Sequence, residues 1–327
     1  MNMRSIVDIF VTLGERLHHF GSSEESRAVI HSAIEQNPWF TEQDITSAVE
    51  AIRTQMLDKA KLEAWLADYP TATAPQRVAI IMAGNIPLVG FFDLLCVLCS
   101  GHKTHIKTSS KDRVLMQYVV NLLRSIAPQI AIYDYSAEEH YDMVIATGGE
   151  EANRYFESHF ASTKRLLRGS RHSVAVLDGT ESEAELRGLY EDITAYSGLG
   201  CRSVSMIFAP EGLNIAISKG EAQNLKLRRN IASMRALYIM QGRAFSDYGA
   251  FLAIEGRAFA TSLANVVVQR YSDIADVRAW LGEHSEEIQC VVSHLDIEGA
   301  VPLGEAQHPR LCDYADGVDT MQWLNIC

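Results

Sequence analysis

From residue 77 onward, short apolar runs alternate with helical segments, and this alternation restricts the fold more than any other feature of the chain. Residues 78–82 predict a strand and 87–99 a helix with Pro87 just inside its start. Residues 105–107 predict a second strand and 114–126 a second helix. Strands follow at 130–133 and 143–146, then a helix at 150–160 and a strand at 172–177. Apolar strands this short, separated by helices of this length, predict a parallel sheet covered on both faces. Ligands of such sheets bind at the carboxyl ends of the strands. Those ends carry Ala83-Gly84-Asn85, Lys107-Thr108-Ser109-Ser110 and Thr147-Gly148-Gly149, which are small, polar or cationic, as suits a dinucleotide.

A second alternating block follows. It predicts a helix at 183–196, a strand at 204–209, a helix through 213–240, strands at 250–254 and 264–268, a helix at 273–281 and a strand at 287–292. Ahead of residue 67 the pattern is helical, with Ser23 and Thr41 as helix starters. Residues 68–75, punctuated by Pro70 and Pro75, read as a linker. The expected organisation is an N-terminal helical region over 1–70, a dinucleotide-binding domain over 71–170, a catalytic domain over 171–306 and a tail over 307–327 with little regular pattern.

Composition excludes several classes. A hydrophobic share of 47% with 21% charged residues is that of a globular protein. A net charge of −12 argues against a nucleic acid or an anionic membrane as partner. Cys96, Cys99, Cys201, Cys290, Cys312 and Cys327 are dispersed, as in a reducing cytoplasm and unlike a disulfide scaffold. Met1-Asn2-Met3-Arg4-Ser5 lacks the features of a signal peptide, and the apolar run over 89–99 is broken by Asp93 and too short to span a bilayer. A homo-oligomer is compatible with such a chain.

Cys201 is the candidate nucleophile. It lies in Ser197-Gly198-Leu199-Gly200-Cys201-Arg202-Ser203, between a helical segment and an apolar strand. Small neighbours leave one side open to a substrate, and nearby backbone N–H groups can turn toward developing negative charge. The competing reading is a small buried hydrophobe. Thr147-Gly148-Gly149 opens a helix after a strand, so its N–H groups can face a pyrophosphate; a structural turn is the alternative. Gly198-Leu199-Gly200 follows a helix and is no dinucleotide fingerprint. Cys96 and Cys99 read as core packing, and His102 with His105 lacks the further ligands a metal needs. No metal site is expected. Asp313, Asp316 and Asp319 read as turn and capping groups. Lys164, Arg165, Arg168, Arg171 and His172 read as a solvated basic face, with binding of phosphates as the alternative.

The order Ala83-Gly84-Asn85-Ile86-Pro87, residues 101–109 ending in Lys107-Thr108-Ser109, Ala146-Thr147-Gly148-Gly149, Gly169-Ser170-Arg171 and Cys201 is similar to the succession of motifs in the aldehyde dehydrogenase superfamily. Within it, the chain resembles the LuxC-type acyl-CoA reductases; Val301-Pro302-Leu303-Gly304 and Tyr314-Ala315-Asp316-Gly317 extend the likeness to about residues 77–325. The resemblance implies an aldehyde-dehydrogenase-like α/β fold, with a parallel-sheet coenzyme domain, an α/β catalytic domain and N-terminal helices. It implies that the Asn85 amide and the Cys201 N–H form an oxyanion hole. It implies that Lys107 contacts the adenosine ribose or 2′-phosphate, with Gly84 and Gly169 as further cofactor positions. Where many NAD-preferring relatives carry an acid, this chain has Ser110, which favours NADPH, NADH remaining the alternative.

Leu167 stands 34 residues before Cys201, where hydrolytic members of the superfamily carry the glutamate that activates water. Its absence fits an enzyme that exchanges acyl groups with a thiol such as CoA. The implied activity is NADPH-dependent reduction of an acyl-CoA, a fatty one for preference, to an aldehyde. Two other readings stay open. A cysteine hydrolase or acyltransferase would need a histidine beside Cys201, from His172 or His294. A non-catalytic binding protein on the same fold is consistent with the lack of a Glu-x-Phe-Gly-Pro-like motif.

Overall fold

Ser23 and Thr41 start two of the helices that precede the first strand. Each N-cap oxygen accepts an N–H of the first turn, and Thr41 with Asp44 closes a capping box. The structure, a computed structural model, describes residues 3–325; Met1, Asn2, Ile326 and Cys327 lie outside them. The helices are α1 (Met3–Leu17), α2 (Glu24–Gln36), α3 (Glu42–Ala51) and α4 (Lys59–Leu66). Then come β1 (Arg77–Ile81), α5 (Phe91–Cys99), β2 (Lys103–Lys107), α6 (Arg113–Ile126), β3 (Ile132–Asp134), β4 (Met143–Thr147), α7 (Glu150–His159) and β5 (Lys164–Arg168). The five strands form one parallel sheet in the order β3-β2-β1-β4-β5.

Period-2 alternation sorts the strand side chains onto two faces. Val78 and Ile80 of β1 join a core with Phe10 and Leu13 of α1 and Leu94 of α5. Ala79 and Ile81 point the other way, to Phe156 and Phe160. The N-terminal helices are therefore one cover of this sheet, because an apolar strand face left bare would stay in water.

The second unit spans Arg171–His308. It contains β6 (His172–Val176), α8 (Glu183–Thr194), β7 (Val204–Pro210), α9 (Leu225–Gln241), β8 (Ser246–Asp247), β9 (Leu252–Glu255), β10 (Asn265–Tyr271), α10 (Ile274–Glu283) and β11 (Ile288–Val292). Its sheet runs β11-β6-β7-β10-β9-β8, parallel except for the β8–β9 pair. From Pro309 the chain rejoins the first unit. There α11 (Thr320–Asn325) buries Met321 and Leu324 in the same core as α1 and α5.

Four expectations change. Residues 164–168 form an edge strand, with Arg165 exposed and Arg168 buried: β5 adds to β4 in register Ala146–Leu167. The helix expected from 213 begins at Leu225, where the Asn224 side chain accepts the N–H groups of Lys226 and Leu227. The helix expected from Pro87 begins at Phe91, because Leu88 takes a left-handed φ of 57° that no helix continues through. The tail is anchored: Tyr314 Oη accepts the Trp65 indole N–H at 2.8 Å and pairs with Tyr69 Oη at 2.8 Å, while Tyr69 donates to Asp319. No helix among the described residues is long and apolar enough to cross a membrane.

Candidate active site

In the first sheet the strand order reverses between β1 and β4, so the carboxyl ends of those strands flank the crevice where open α/β sheets take ligands. Gly84 and Asn85 follow β1, and Asn85 is exposed. Gly84 must be glycine for packing: a Cβ there would meet Ser109 Oγ at 2.5 Å and Asp112 Cβ at 3.2 Å. This close approach joins the loop after β1 to the loop after β2. Lys107 ends β2, exposed, with Nζ 5.5 Å from the centroid of the Tyr135 ring. Ser110 is exposed in the turn that follows.

Thr147 ends β4, and Gly149 caps α7 with open space where a Cβ would stand. The Gly148 N–H, however, bonds to the Arg168 carbonyl at 3.1 Å. Of the expected glycine pair, only Gly149 faces open space, and Glu150 and Glu151 occupy the first turn behind it. Gly169 follows β5, on the same edge of the sheet, and is exposed. The structure thus brings Gly84, Asn85, Lys107, Ser110, Thr147, Gly148, Gly149 and Gly169 to one edge of one parallel sheet.

Cys201 belongs to the second unit, ahead of β7, and is exposed. The Ser203 N–H bonds to the Gly200 carbonyl at 3.0 Å, which puts Cys201 on the outside of a tight turn. Before it, Tyr196, Ser197 and Gly198 have φ of 52°, 58° and 73°. Consecutive left-handed residues are costly for L-amino acids, and Tyr196 and Ser197 are held there by burial. Ser173 Oγ donates to the Cys201 carbonyl at 2.8 Å, tying the turn to the start of β6. On its other side, Arg202 donates to the Ala306 carbonyl and Gln307 to Ser203 Oγ. The turn over 304–306 is held in turn by Asp192, which accepts the N–H groups of Gly304 and Ala306. Burial pushes the Asp192 carboxyl up to about 7 against those two bonds.

The other described cysteines differ. Cys96, Cys99 and Cys290 are buried, and burial raises the Cys96 and Cys99 thiols, as core packing requires. Cys312 is exposed, and its sulfur lies 4.0 Å from the Asp313 carboxylate.

The two candidate histidines part company. His172 opens β6, on the edge where Cys201 lies. Its ring stacks on Phe259 at 4.0 Å and Nδ1 pairs with Ser205 Oγ, while burial lowers its pKa. His294 faces Asp178, beyond the opposite end of β6, at 3.1 Å. At about 3.3 Å per residue, Asp178 stands roughly 16 Å along the chain from Ser173. His294 also meets Glu185 at 2.9 Å, and Glu181 lies close enough for three ligand atoms to fall within 4.8 Å. Burial works against the charged ring, but the bonds to Glu185 and Asp178 prevail and raise its pKa. Glu181 meanwhile accepts the backbone N–H groups of Asp178 and Gly179, so the group is built as an ion-pair cage.

The basic residues near 168 are spent on structure. Lys164 donates to the Trp323 carbonyl at 2.7 Å, Arg165 to the Phe160 and Ala161 carbonyls, and Arg171 to the Ser285 and Ile288 carbonyls. Arg168 is buried against Asp93. His102 is buried between the Gln76 N–H and the Leu324 carbonyl. Asp313 pairs with Arg310, and Asp319 caps the start of α11, in agreement with turn and capping roles. Sequence reasoning missed Tyr135, Asp112 and Asp192. An aspartate directly before a helical run, as Asp112 is before α6, was the available signal for one of them.

A family model described as acyl-CoA reductase (LuxC) matches residues 36–231. The long-chain acyl-protein thioester reductase 2 of Photobacterium leiognathi is 27% identical over 158 residues, covering 43% of this chain and 33% of that one. The long-chain acyl-protein thioester reductase of Aliivibrio fischeri is 26% identical over 168 residues, covering 45% and 35%. The matched part is about a third of the length of these relatives. Among solved structures, aldehyde dehydrogenase 21 of Physcomitrella patens, in complex with succinate, superposes with a TM-score of 0.66 at 12% identity, covering 95% of this chain and 79% of that one. Betaine aldehyde dehydrogenase of Staphylococcus aureus, in complex with NAD+, gives 0.63 at 12%, covering 94% and 73%. These likenesses show the aldehyde dehydrogenase fold, as the motif order implied.

Proposed function

The chain belongs to the acyl-CoA reductase (LuxC) family, and on that premise we propose that it reduces an acyl thioester to an aldehyde through a thioacyl-enzyme on Cys201. The observation that carries the reading is Cys201 itself, exposed on a turn that three left-handed residues and Ser173 hold in place. Its thiolate attacks the thioester carbonyl, and the Asn85 amide and the Cys201 N–H donate to the resulting alkoxide. Collapse expels the carrier thiolate, which takes up a proton. A nicotinamide dinucleotide, when bound, supplies the hydride that reduces the thioacyl group. Return of the electron pair to Cys201 then releases the aldehyde.

The residues on the first sheet edge suit such a cofactor: a glycine packed for close approach, an open helix N-cap at Gly149 and an exposed ammonium on Lys107. The carrier is CoA in the family's description and a protein in the names of the two reductases. We favour CoA, with a protein thioester as the second donor to test. The assay is NADPH oxidation against a panel of acyl-CoA esters and an acyl-protein thioester. Acyl-dependent oxidation with matching aldehyde is expected; none with either donor would remove the reading.

Two further outcomes follow from particular residues. Leu167 is half-buried in β5 against the Phe156–Phe160 cluster and supplies no base. Without reductant the acyl-enzyme should persist and return its acyl group to added CoA, as intact-protein mass spectrometry would show. Rapid release of free acid contradicts this. For the cofactor, Ser110 offers no repulsion to a 2′-phosphate and Lys107 supplies charge. NADPH should bind about ten- to hundredfold tighter than NADH at low salt. The margin should shrink in Lys107→Ala and at high ionic strength. Equal dissociation constants would refute it.

A further inference from the structure

We infer that Asp112 is a positioning residue: it fixes the loop that carries Asn85 and so governs how fast Cys201 is acylated, an inference that rests on the thioester-reductase reading. Asp112 stands at the N-cap of α6, yet its side chain makes no capping bond to that helix. It reaches instead across to the loop after β1, where Oδ2 accepts the Leu88 N–H at 2.8 Å. Leu88 is the residue with left-handed φ, so the bond holds the strained point at which the loop turns into α5. At the other end of the same loop, the buried Asn37 side chain donates to the Gly84 carbonyl at 3.2 Å. Asn85 is thus exposed on a three-residue bridge, 85–87, pinned on either side by a buried side chain from another element.

The arrangement is costly in itself. Asp112 is buried, and its Oδ1 has no hydrogen-bond partner among the described residues. Burial pushes its carboxyl up to about 8, against the pull of the Leu88 N–H. A helix cap alone would call for a side chain that bonds the N–H groups of its own helix, which Asp112 does not do. A buried, half-satisfied acid at this point is the kind of local expense that functional sites carry. Its second neighbour, Gly84, packs against it and against Ser109, so the pin also keeps the loops after β1 and β2 in contact.

The test is a double-mutant cycle on the rate of acyl-adduct formation, followed by rapid-quench mass spectrometry with an acyl-CoA. Asp112→Ala should slow acylation at least about tenfold, while leaving NADPH affinity within about twofold. Asp112→Asn keeps an oxygen for the Leu88 N–H and should stay within about threefold of the parent. In an Asn85→Ala background, itself slowed by about 10²-fold or more, Asp112→Ala should add nothing further. Hydrogen exchange over residues 84–90 should speed up in Asp112→Ala and not in Asp112→Asn. Parent-like acylation by Asp112→Ala, or an equal loss in both backgrounds, overturns the inference and leaves the reductase reading standing. A parent protein that forms no adduct at all removes that reading, and the inference with it. If Asp112→Ala does not fold, Asp112→Ser, whose shorter side chain withdraws the acceptor, takes its place in the cycle with the same expectations.

Discussion

Replacing Cys201 with alanine should abolish both the covalent acyl adduct and aldehyde formation, a loss of at least about 10³-fold, given that removal of a nucleophile in covalent catalysts costs up to about 10⁶. The reason is that no other described cysteine combines exposure with a suitable setting. Cys96, Cys99 and Cys290 are buried, and Cys312 lies beside a carboxylate. Cys312→Ser should therefore keep full activity and the same adduct mass. An adduct that survives in Cys201→Ala would refute the assignment. The variant should fold as the parent does, since the bond that anchors the turn runs from Ser173 to the backbone carbonyl of residue 201 and not to its thiol.

Arg168→Met should be the most destabilising single change in the first unit. The Arg168 guanidinium bonds to Asp93 at 2.8 Å, to Thr320 Oγ1 at 2.8 Å and to the Ala315 carbonyl at 2.9 Å. Its side chain is 5% exposed and that of Asp93 9%, so water cannot replace what is lost. Leaving Asp93 buried without its partner costs about 3–5 kcal/mol. In a unit of this size that lowers Tm by about 10 °C in a thermal melt. The double variant Arg168→Met with Asp93→Leu should recover most of the loss, because no charge is then left in the core. An unchanged Tm in the single variant would show that the pair does not hold α11 and β5 together as the geometry requires.

Much of the fold is legible in the amino-acid order. Strands β1, β4, β6 and β7 are mostly apolar runs, and strands buried on both faces need such runs whatever surrounds them. The helix starts at Ser23 and Thr41 are legible for the same reason, since a cap is satisfied within three residues. Cys201, directly after Gly198-Leu199-Gly200 and set in the order of motifs, and the small polar strand ends of the first sheet also needed no tertiary information to single out. β5 was hidden because Lys164, Arg165 and Arg168 give it the composition of a surface. Only the arrival of Asp93 and the returning C-terminal segment turns Arg168 into an interior residue. The tail was unreadable because its anchors, Trp65 and Tyr69, lie some 245 positions away.

The sequence by itself therefore determined the parallel α/β architecture, and it singled out a candidate nucleophile and the edge of the first sheet where candidate cofactor groups gather. Each of these depends on periodicity or on residues adjacent in the chain. Tertiary structure alone decided that Gly148 spends its N–H on Arg168, that Arg168 of the basic cluster is interior scaffolding and that Asp112 grips the loop of Asn85. Those facts turn on which buried polar group meets which partner. A buried donor or acceptor left unpaired costs a sizeable part of a protein's net stability, so the pairing is enforced strongly, but between residues whose separation in sequence carries no sign of it.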